Sequence, residues 1–216
     1  MISILCTFND NLTMGAICIL LALLADGLDG RTARALGVSS ELGKEMDSLC
    51  DLVSFGAAPA MLAYNLQLIN FGIFGCIAAI FFALCGMWRL ARFNVNTTVV
   101  HGFFMGLAIP AGGCLIATST LLVNSIGFDL GQLSYGYPVI VIIVAYLMVS
   151  TVHYPDFKGD GEKMNLLAKV VAAVIFVLIL WLGRESLIYA VLFGIFAAYA
   201  VFGIVNHSIN LISGSK

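Results

Sequence analysis

The sequence predicts an all-α polytopic membrane protein, a bundle of about seven transmembrane helices with an active site at its cytoplasmic end. Three observations support this prediction. Hydrophobic residues make up 61% of the 216-residue chain and charged residues only 10%, whereas a typical soluble domain carries about 25% charge. Apolar segments long enough to cross a bilayer follow one another with short connections. Four aspartates lie close together around the connection between the first two segments.

Seven apolar segments define the order of the predicted helices. Gly37 suits the C-terminal cap of the first helix, because glycine readily adopts a left-handed backbone conformation. Ser39 or Ser40 suits the N-cap of the second helix. The ends of these two helices would then face each other across a short turn. The approximate limits of the segments are 11–34, 47–68, 72–92, 103–124, 137–152, 165–183 and 186–206.

The basic residues predict the orientation of the bundle. Suppose that the loop containing Arg31, Arg34 and Lys44 is cytoplasmic and that the spans alternate in direction. Every lysine and arginine except Arg184 then falls on the cytoplasmic side, as the positive-inside rule requires. We therefore expect a multi-pass protein of the plasma membrane whose acidic stretch opens to the cytoplasm.

Other classes of protein are disfavoured by the composition. The six cysteines are scattered through apolar segments without a CxxC pair, which indicates core residues rather than disulfides or zinc ligands. No basic stripe is present, so we expect no nucleic-acid partner.

The four aspartates form two pairs with helical spacing. Asp26 and Asp29 stand at i, i+3, and Asp47 and Asp51 stand at i, i+4, so each pair shares one helix face. Carboxylates at membrane depth are costly and tend to be functional. Four converging carboxylates would repel one another unless cations held them, and hard divalent cations such as Mg²⁺ take oxygen ligands. The pattern predicts a metal site at the membrane edge.

The surrounding residues indicate phosphate chemistry. Two metal ions held by carboxylates can clamp a pyrophosphate and stabilise both the attacking and the leaving oxygen. Gly30 and Ala33 are small, so a ligand could approach the backbone of their helix closely. Arg34 could contact a phosphate with its fork of donors. A carboxylate that the metals do not fully use could take a proton from an incoming hydroxyl.

The complete pattern is Asp-x2-Asp-Gly-x2-Ala-Arg-x8-Gly-x3-Asp-x3-Asp, from Asp26 to Asp51. It resembles the signature of the CDP-alcohol phosphatidyltransferases. That resemblance implies an integral membrane transferase that acts on a CDP-linked lipid or alcohol and uses two ions, Mg²⁺ or Mn²⁺. It implies that Asp26, Asp29 and Asp47 are metal ligands, and that Asp51 is both a ligand and the general base. The residues that it places against the cytidine diphosphate are Gly30, Ala33, Arg34 and Gly43.

Two further segments resemble one branch of the family, the integral-membrane CDP-diacylglycerol–serine O-phosphatidyltransferases of bacteria. They are residues 45–59 (EMDSLCDLVSFGAAP) and 88–94 (WRLARFN). The resemblance implies CDP-diacylglycerol and L-serine as substrates, contact with membrane lipid, and a homodimer. Ser48 stands where the phosphatidylglycerol-phosphate branch typically has proline, which favours serine as the acceptor. Arg89 and Arg92, at i, i+3, are candidate partners for the acceptor carboxylate or a phosphate.

The resemblance also divides the chain. Residues 1–158 correspond to the catalytic core, and residues 159–216 to two additional C-terminal helices of the same membrane domain. Relatives usually have a further transmembrane helix before the one that bears Asp26, and residues 1–10 are too short to supply it.

Two alternatives stay open. The first is the same chemistry with another acceptor, such as glycerol 3-phosphate or inositol phosphate. The second is a cation transporter, although its acidic residues would be spread along a transmembrane path. Lys44 and Glu45, beside the aspartates, are interpreted as a solvent-exposed helix face.

Overall fold

The computed structural model describes residues 1–37, 40–96, 103–127, 136–155 and 165–212. Within these ranges nearly all residues are helical, and two short strands pair with each other. The helices are α1 (Ile2–Phe8), α2 (Leu12–Leu36), α3 (Glu41–Asp51), α4 (Ala58–Leu66), α5 (Gly72–Asn96), α6 (Ile109–Ile126), α7 (Gly136–Val149), α8 (Leu166–Leu182) and α9 (Leu187–Ile212). The strands are β1 (Phe103–Met105) and β2 (His153–Pro155).

The predicted fold class is confirmed. Each of the seven predicted segments corresponds to a helix or a continuous helical run in the described ranges. Five of these are long and apolar enough to cross a membrane, and α7 and α8 are shorter apolar helices. The protein is therefore an all-α helical membrane protein.

The predicted start of the fourth helix was wrong. The sequence placed it at residue 103, but α6 begins at Ile109. Residues Phe103–Met105 instead pair antiparallel with His153–Pro155, and Gly106 has a positive φ of 75°, which interrupts a helix. Pro110 then occupies the first turn of α6, where its missing N–H costs nothing. The fifth helix likewise ends at Val149 rather than at residue 152.

The turn between α2 and α3 has the predicted caps. Gly37 adopts a left-handed conformation with φ of 63° directly after α2. Ser40 is the N-cap of α3, where its hydroxyl accepts a hydrogen bond of 3.0 Å from the backbone N–H of Gly43. Ser39 lies outside the described residues. These caps end one aspartate-bearing helix and begin the next within a few residues.

A π-helical turn, Leu52–Ala57, joins α3 to α4 directly after Asp51. Phe55 of this turn is buried, and Gly113 of α6 packs against it. A Cβ atom at Gly113 would lie 2.7 Å from the carbonyl oxygen of Phe55, closer than two such atoms can approach. π-Helical turns are often found at functional sites, and here the contact with α6 sets the position of the helix that carries Asp51.

Arg92, near the end of α5, ties together several chain segments at one end of the bundle. Its Nη1 donates to the carbonyl oxygen of Val149 at 2.7 Å. Its Nη2 donates to the carbonyl oxygens of Met105 at 3.0 Å and Ser150 at 3.2 Å. Because these carbonyls lie at the end of α7, directly after it, or in β1, the guanidinium holds the ends of α5 and α7 against the strand pair.

The last two helices belong to the same bundle. α9 packs against α6, α8 and β2. The Tyr154 hydroxyl of β2 donates to the carbonyl oxygen of Ala200 at 3.1 Å, and Gly203 leaves room for the tyrosine ring. The start of α8 is joined to α9 through the backbone N–H of Asn165, which donates to Asn206 Oδ1 at 2.9 Å.

Gly113→Ala tests the close contact between α6 and the π-helical turn. We expect this substitution to lower the melting temperature in detergent, at a cost of about 1–3 kcal/mol, because the added methyl group forces the two segments apart. Gly27→Ala is the matched control, since a Cβ there meets no atom within 4 Å and alanine favours the helix. Equal melting temperatures for the two variants would contradict the prediction.

Candidate active site

A pocket of about 640 Å³ opens at one end of the bundle. Its walls come from the C-terminal part of α2, the length of α3, the end of α5 and the start of α6. The lining includes six carboxylates and two basic side chains. The acidic residues are Asp26, Asp29, Glu41, Glu45, Asp47 and Asp51, and the basic residues are Lys44 and Arg89.

Three of the four predicted metal ligands converge. Carboxylate oxygens of Asp26, Asp47 and Asp51 all lie within 4.8 Å of one another. Asp29 lines the same pocket but is not part of this closest group. In the described part of the chain none of these carboxylates forms an ion pair with a lysine or arginine.

The donor set fits a hard divalent cation. Every converging ligand is a carboxylate oxygen, the type of donor that Mg²⁺ and Mn²⁺ take in proteins. Uncompensated carboxylates this close would otherwise repel one another. The pocket also has room for phosphate oxygens or water to complete the coordination of such an ion.

The residues predicted to contact the cytidine diphosphate divide into three groups. Gly30 lines the pocket, together with Gly27. Ala33 lies about one turn further along α2 and is not among the lining residues. Gly43 is likewise absent from the lining, and its backbone N–H donates to the capping hydroxyl of Ser40. The Arg34 side chain lies outside the described residues.

The two candidate arginines have different environments. Arg89 lines the pocket, is only 7% exposed, and interacts electrostatically with Asp51. Its guanidinium carbon lies 5.9 Å from the centre of the Phe93 ring, and its Nε has no hydrogen-bond partner among the described residues. A buried guanidinium donor without a partner is costly, so this nitrogen is available to a group that enters the pocket. Arg92 does not line the pocket, and its donors are used by main-chain carbonyls.

Sequence reasoning missed a polar group on the pocket wall. Asn94 of α5 donates from Nδ2 to Ser48 Oγ at 3.0 Å and approaches Glu45 Oε2 at 3.5 Å. Glu45 is exposed, as predicted, but it is exposed to this pocket. Helical periodicity could not have revealed this group, because its members come from two helices that only the tertiary structure brings together.

Residues 1–153 match the sequence profile of the CDP-alcohol phosphatidyltransferase family. The chain belongs to this family. It is 33% identical over 202 residues to the CDP-diacylglycerol–serine O-phosphatidyltransferase of Helicobacter pylori, a match that covers 93% of this chain and 84% of the relative.

Two other relatives extend this similarity. The CDP-diacylglycerol–serine O-phosphatidyltransferase of Bacillus subtilis is 33% identical over 153 residues, which cover 71% of this chain and 81% of the relative. The archaetidylserine synthase of Methanothermobacter thermautotrophicus is 38% identical over 164 residues, which cover 75% and 66% of the respective chains. These matches confirm the predicted family membership.

Arg92→Lys tests the structural role of Arg92. We expect a lower melting temperature, by the equivalent of about 1–3 kcal/mol, because an ammonium group cannot reach carbonyls that lie in several directions. The KM values for both substrates should stay unchanged, since Arg92 does not line the pocket. A raised KM with an unchanged melting temperature would instead indicate that Arg92 contacts a substrate.

Proposed function

We propose that this protein transfers the phosphatidyl group of CDP-diacylglycerol to the hydroxyl of L-serine, which gives phosphatidylserine and CMP. The observation that carries the proposal is the convergence of three carboxylates with the buried Arg89 in one pocket of a membrane bundle. The relatives named for this reaction give further support.

The pocket residues have complementary roles in this reaction. The aspartates of the motif would hold Mg²⁺ or Mn²⁺, which when bound would supply positive charge to neutralise the pyrophosphate and the departing CMP. Gly27 and Gly30 leave part of the pocket wall without side chains, so the nucleotide can approach the backbone of α2. The residues that would hold the ions are Asp26, Asp29, Asp47 and Asp51.

Asp51 acts as the general base in the proposed mechanism. Its carboxylate takes the proton of the serine hydroxyl, and the oxygen attacks the phosphorus that is bonded to the diacylglycerol oxygen. The bond from this phosphorus to the oxygen of CMP breaks, and CMP leaves with the electron pair. Asp51 suits this role because it lies on the pocket wall beside the other carboxylates, held by the π-helical turn that follows it.

The charges of the pocket favour serine over a phosphorylated acceptor. Six carboxylates and two basic groups line it, and one of the basic groups, Lys44, already pairs with Glu41 at 2.8 Å. Glycerol 3-phosphate or inositol phosphate would bring extra negative charge into this environment. Serine is a zwitterion, so its single carboxylate can bind Arg89 while its ammonium group meets the acidic wall.

The location of the reaction follows from the distribution of basic residues. Arg31 and Lys44, at the pocket end of α2 and α3, support a pocket that faces the cytoplasm. CDP-diacylglycerol would then place its acyl chains in the inner leaflet of the plasma membrane. The transporter alternative has no support, because the carboxylates cluster at one end of the bundle instead of following a path across it. The homodimer stays a prediction.

CMP release from CDP-diacylglycerol by the purified protein tests the proposed function. In mixed micelles we expect release with L-serine, but not with glycerol 3-phosphate or inositol phosphate. Release should stop on chelation and return with Mg²⁺ or Mn²⁺. Asp51→Asn should lower kcat by about 10²–10⁴-fold, the usual contribution of a general base. Asp10→Asn, the same change near the other end of α2, is the control. Release that depends on a different acceptor would overturn serine as substrate.

Arg89→Lys tests the carboxylate partner. This variant keeps the charge but loses the fork of donors, so we expect the KM for serine to rise about tenfold. Two fragments of serine serve as competitive inhibitors: 3-hydroxypropanoate keeps the carboxylate, and ethanolamine keeps the ammonium group. The inhibition constant of 3-hydroxypropanoate should rise with the KM, while that of ethanolamine should not. If only the inhibition constant of ethanolamine changed, Arg89 would be excluded as the carboxylate partner.

A further inference from the structure

We propose that Glu45, Ser48 and Asn94 form a subsite for the ammonium group of the acceptor, at the mouth of the pocket. This inference rests on the proposed function and deepens it, since it assigns the second charge of the zwitterion to specific residues. The serine substrate would then be held at two points, its ammonium group at this subsite and its carboxylate at Arg89.

The first observation is the hydrogen bonding of the three side chains. Asn94 Nδ2 donates to Ser48 Oγ at 3.0 Å and lies 3.5 Å from Glu45 Oε2. Asn94 Oδ1 lies 3.3 Å from the Ser48 hydroxyl. These contacts hold the Glu45 carboxylate and the Asn94 carbonyl oxygen on one side of the pocket. An ammonium group needs hydrogen-bond acceptors of this kind, ideally including an anionic one.

The second observation is the charge state of the pocket mouth. Glu41 pairs with Lys44 at 2.8 Å, so its charge is already compensated. In the described part of the chain Glu45 forms no such ion pair, and its neighbours Ser48 and Asn94 are uncharged. A cationic ligand would therefore find an uncompensated carboxylate at this position.

The third observation is the position of this subsite on α3. At 100° per residue, Ser48 lies about 60° around the helix from Asp51, and Glu45 lies about 120° from it. Both residues precede Asp51, with Glu45 about 9 Å nearer the start of the helix. The subsite therefore lies to one side of Asp51 and nearer the start of α3, within the same pocket. A group bound there is separate from the carboxylates that converge around Asp51.

The fourth observation is the position of Arg89 in the same pocket. Arg89 and Asn94 both line it, and they are five residues apart on α5, about 7.5 Å along the helix axis and about 140° around it. In an α-amino acid the nitrogen and a carboxylate oxygen are about 3 Å apart, and a hydrogen bond at each end adds about 2.8 Å, which gives a span of about 8.5 Å. A ligand of this span fits within a pocket of about 640 Å³. Arg89 Nε is buried and without a partner among the described residues, so an amino acid can bridge the two points.

This arrangement leaves the third substituent of the acceptor free to react. When the carboxylate is bound by Arg89 and the ammonium group by Glu45, the hydroxymethyl group is bound by neither, and Asp51 lines the same pocket. The two-point contact thus accounts for selection of an amino acid over a neutral alcohol. Selection against a phosphorylated alcohol follows as well, because Glu45 would repel its dianionic group.

Glu45→Gln in the full-length protein tests this inference. The substitution removes the charge and keeps the shape of an exposed side chain, so the fold should be unaffected. We expect the KM for L-serine to rise about tenfold, with the kcat and the KM for CDP-diacylglycerol within twofold of their original values. The inhibition constant of ethanolamine should rise by the same factor, and that of 3-hydroxypropanoate should not. Glu45→Asp, which restores the charge, should recover part of the serine affinity.

Glu41→Gln is the matched control, because it removes one negative charge from the same helix and the same pocket mouth. It should change the KM for serine by less than twofold. Equal effects of Glu41→Gln and Glu45→Gln would overturn the subsite, since they would reduce it to a general effect of charge. The subsite would also be overturned if Glu45→Gln raised the inhibition constants of ethanolamine and 3-hydroxypropanoate by the same factor. Failure of the proposed function can be distinguished from failure of the subsite, because in the first case the unmodified protein would release no CMP with serine.

Discussion

Electrostatic repulsion among converging carboxylates is the constraint on which the rest of this structure depends. Asp26, Asp47 and Asp51 have oxygens within 4.8 Å of one another. When all three are ionised, each pair repels by at least about 3.5 kcal/mol at an effective dielectric constant of about 20. The sum approaches the whole free energy of unfolding of a typical domain, about 5–15 kcal/mol. A bound divalent cation reverses the sign of this contribution, so the helices that carry the aspartates must be positioned by other contacts.

Those contacts are made away from the carboxylates, by packing and by main-chain hydrogen bonds. Gly113 lets α6 approach the backbone of the π-helical turn after Asp51. Arg92 holds the end of α5 against carbonyl groups at the end of α7 and directly after it. Arg89, one helical turn earlier, has a buried guanidinium that lines the pocket. The two arginines of this segment thus have different roles: Arg92 stabilises the scaffold, and Arg89 lines the pocket, where it is available to a substrate.

Positive and negative charges occupy different parts of the pocket wall. This separation of charge bears on which acceptor the pocket can bind. The aspartates cover one part of the wall, Arg89 supplies a buried positive charge, and Glu45 with Asn94 supplies an acceptor-rich mouth. In the proposed binding mode a small zwitterion would satisfy both charged points, whereas a phosphorylated alcohol would not. The membrane adds to this selectivity, because charges in a pocket with low-dielectric walls interact more strongly than they would in open water.

The sequence by itself determined the fold class, the order of the apolar helices, the cap at Gly37 and the family, and it narrowed the next N-cap to Ser39 or Ser40. Hydropathy, capping and the aspartate spacing are local properties of the chain. It could not determine where α6 begins, since pairing between β1 and β2 depends on residues about fifty positions apart. Nor could it separate Arg89 from Arg92, which have the same spacing and charge. Only the tertiary structure decided that one faces the pocket and the other the carbonyl groups after α7, and it alone joined Glu45 to Asn94. These outcomes depend on packing between distant segments, which local periodicity does not encode.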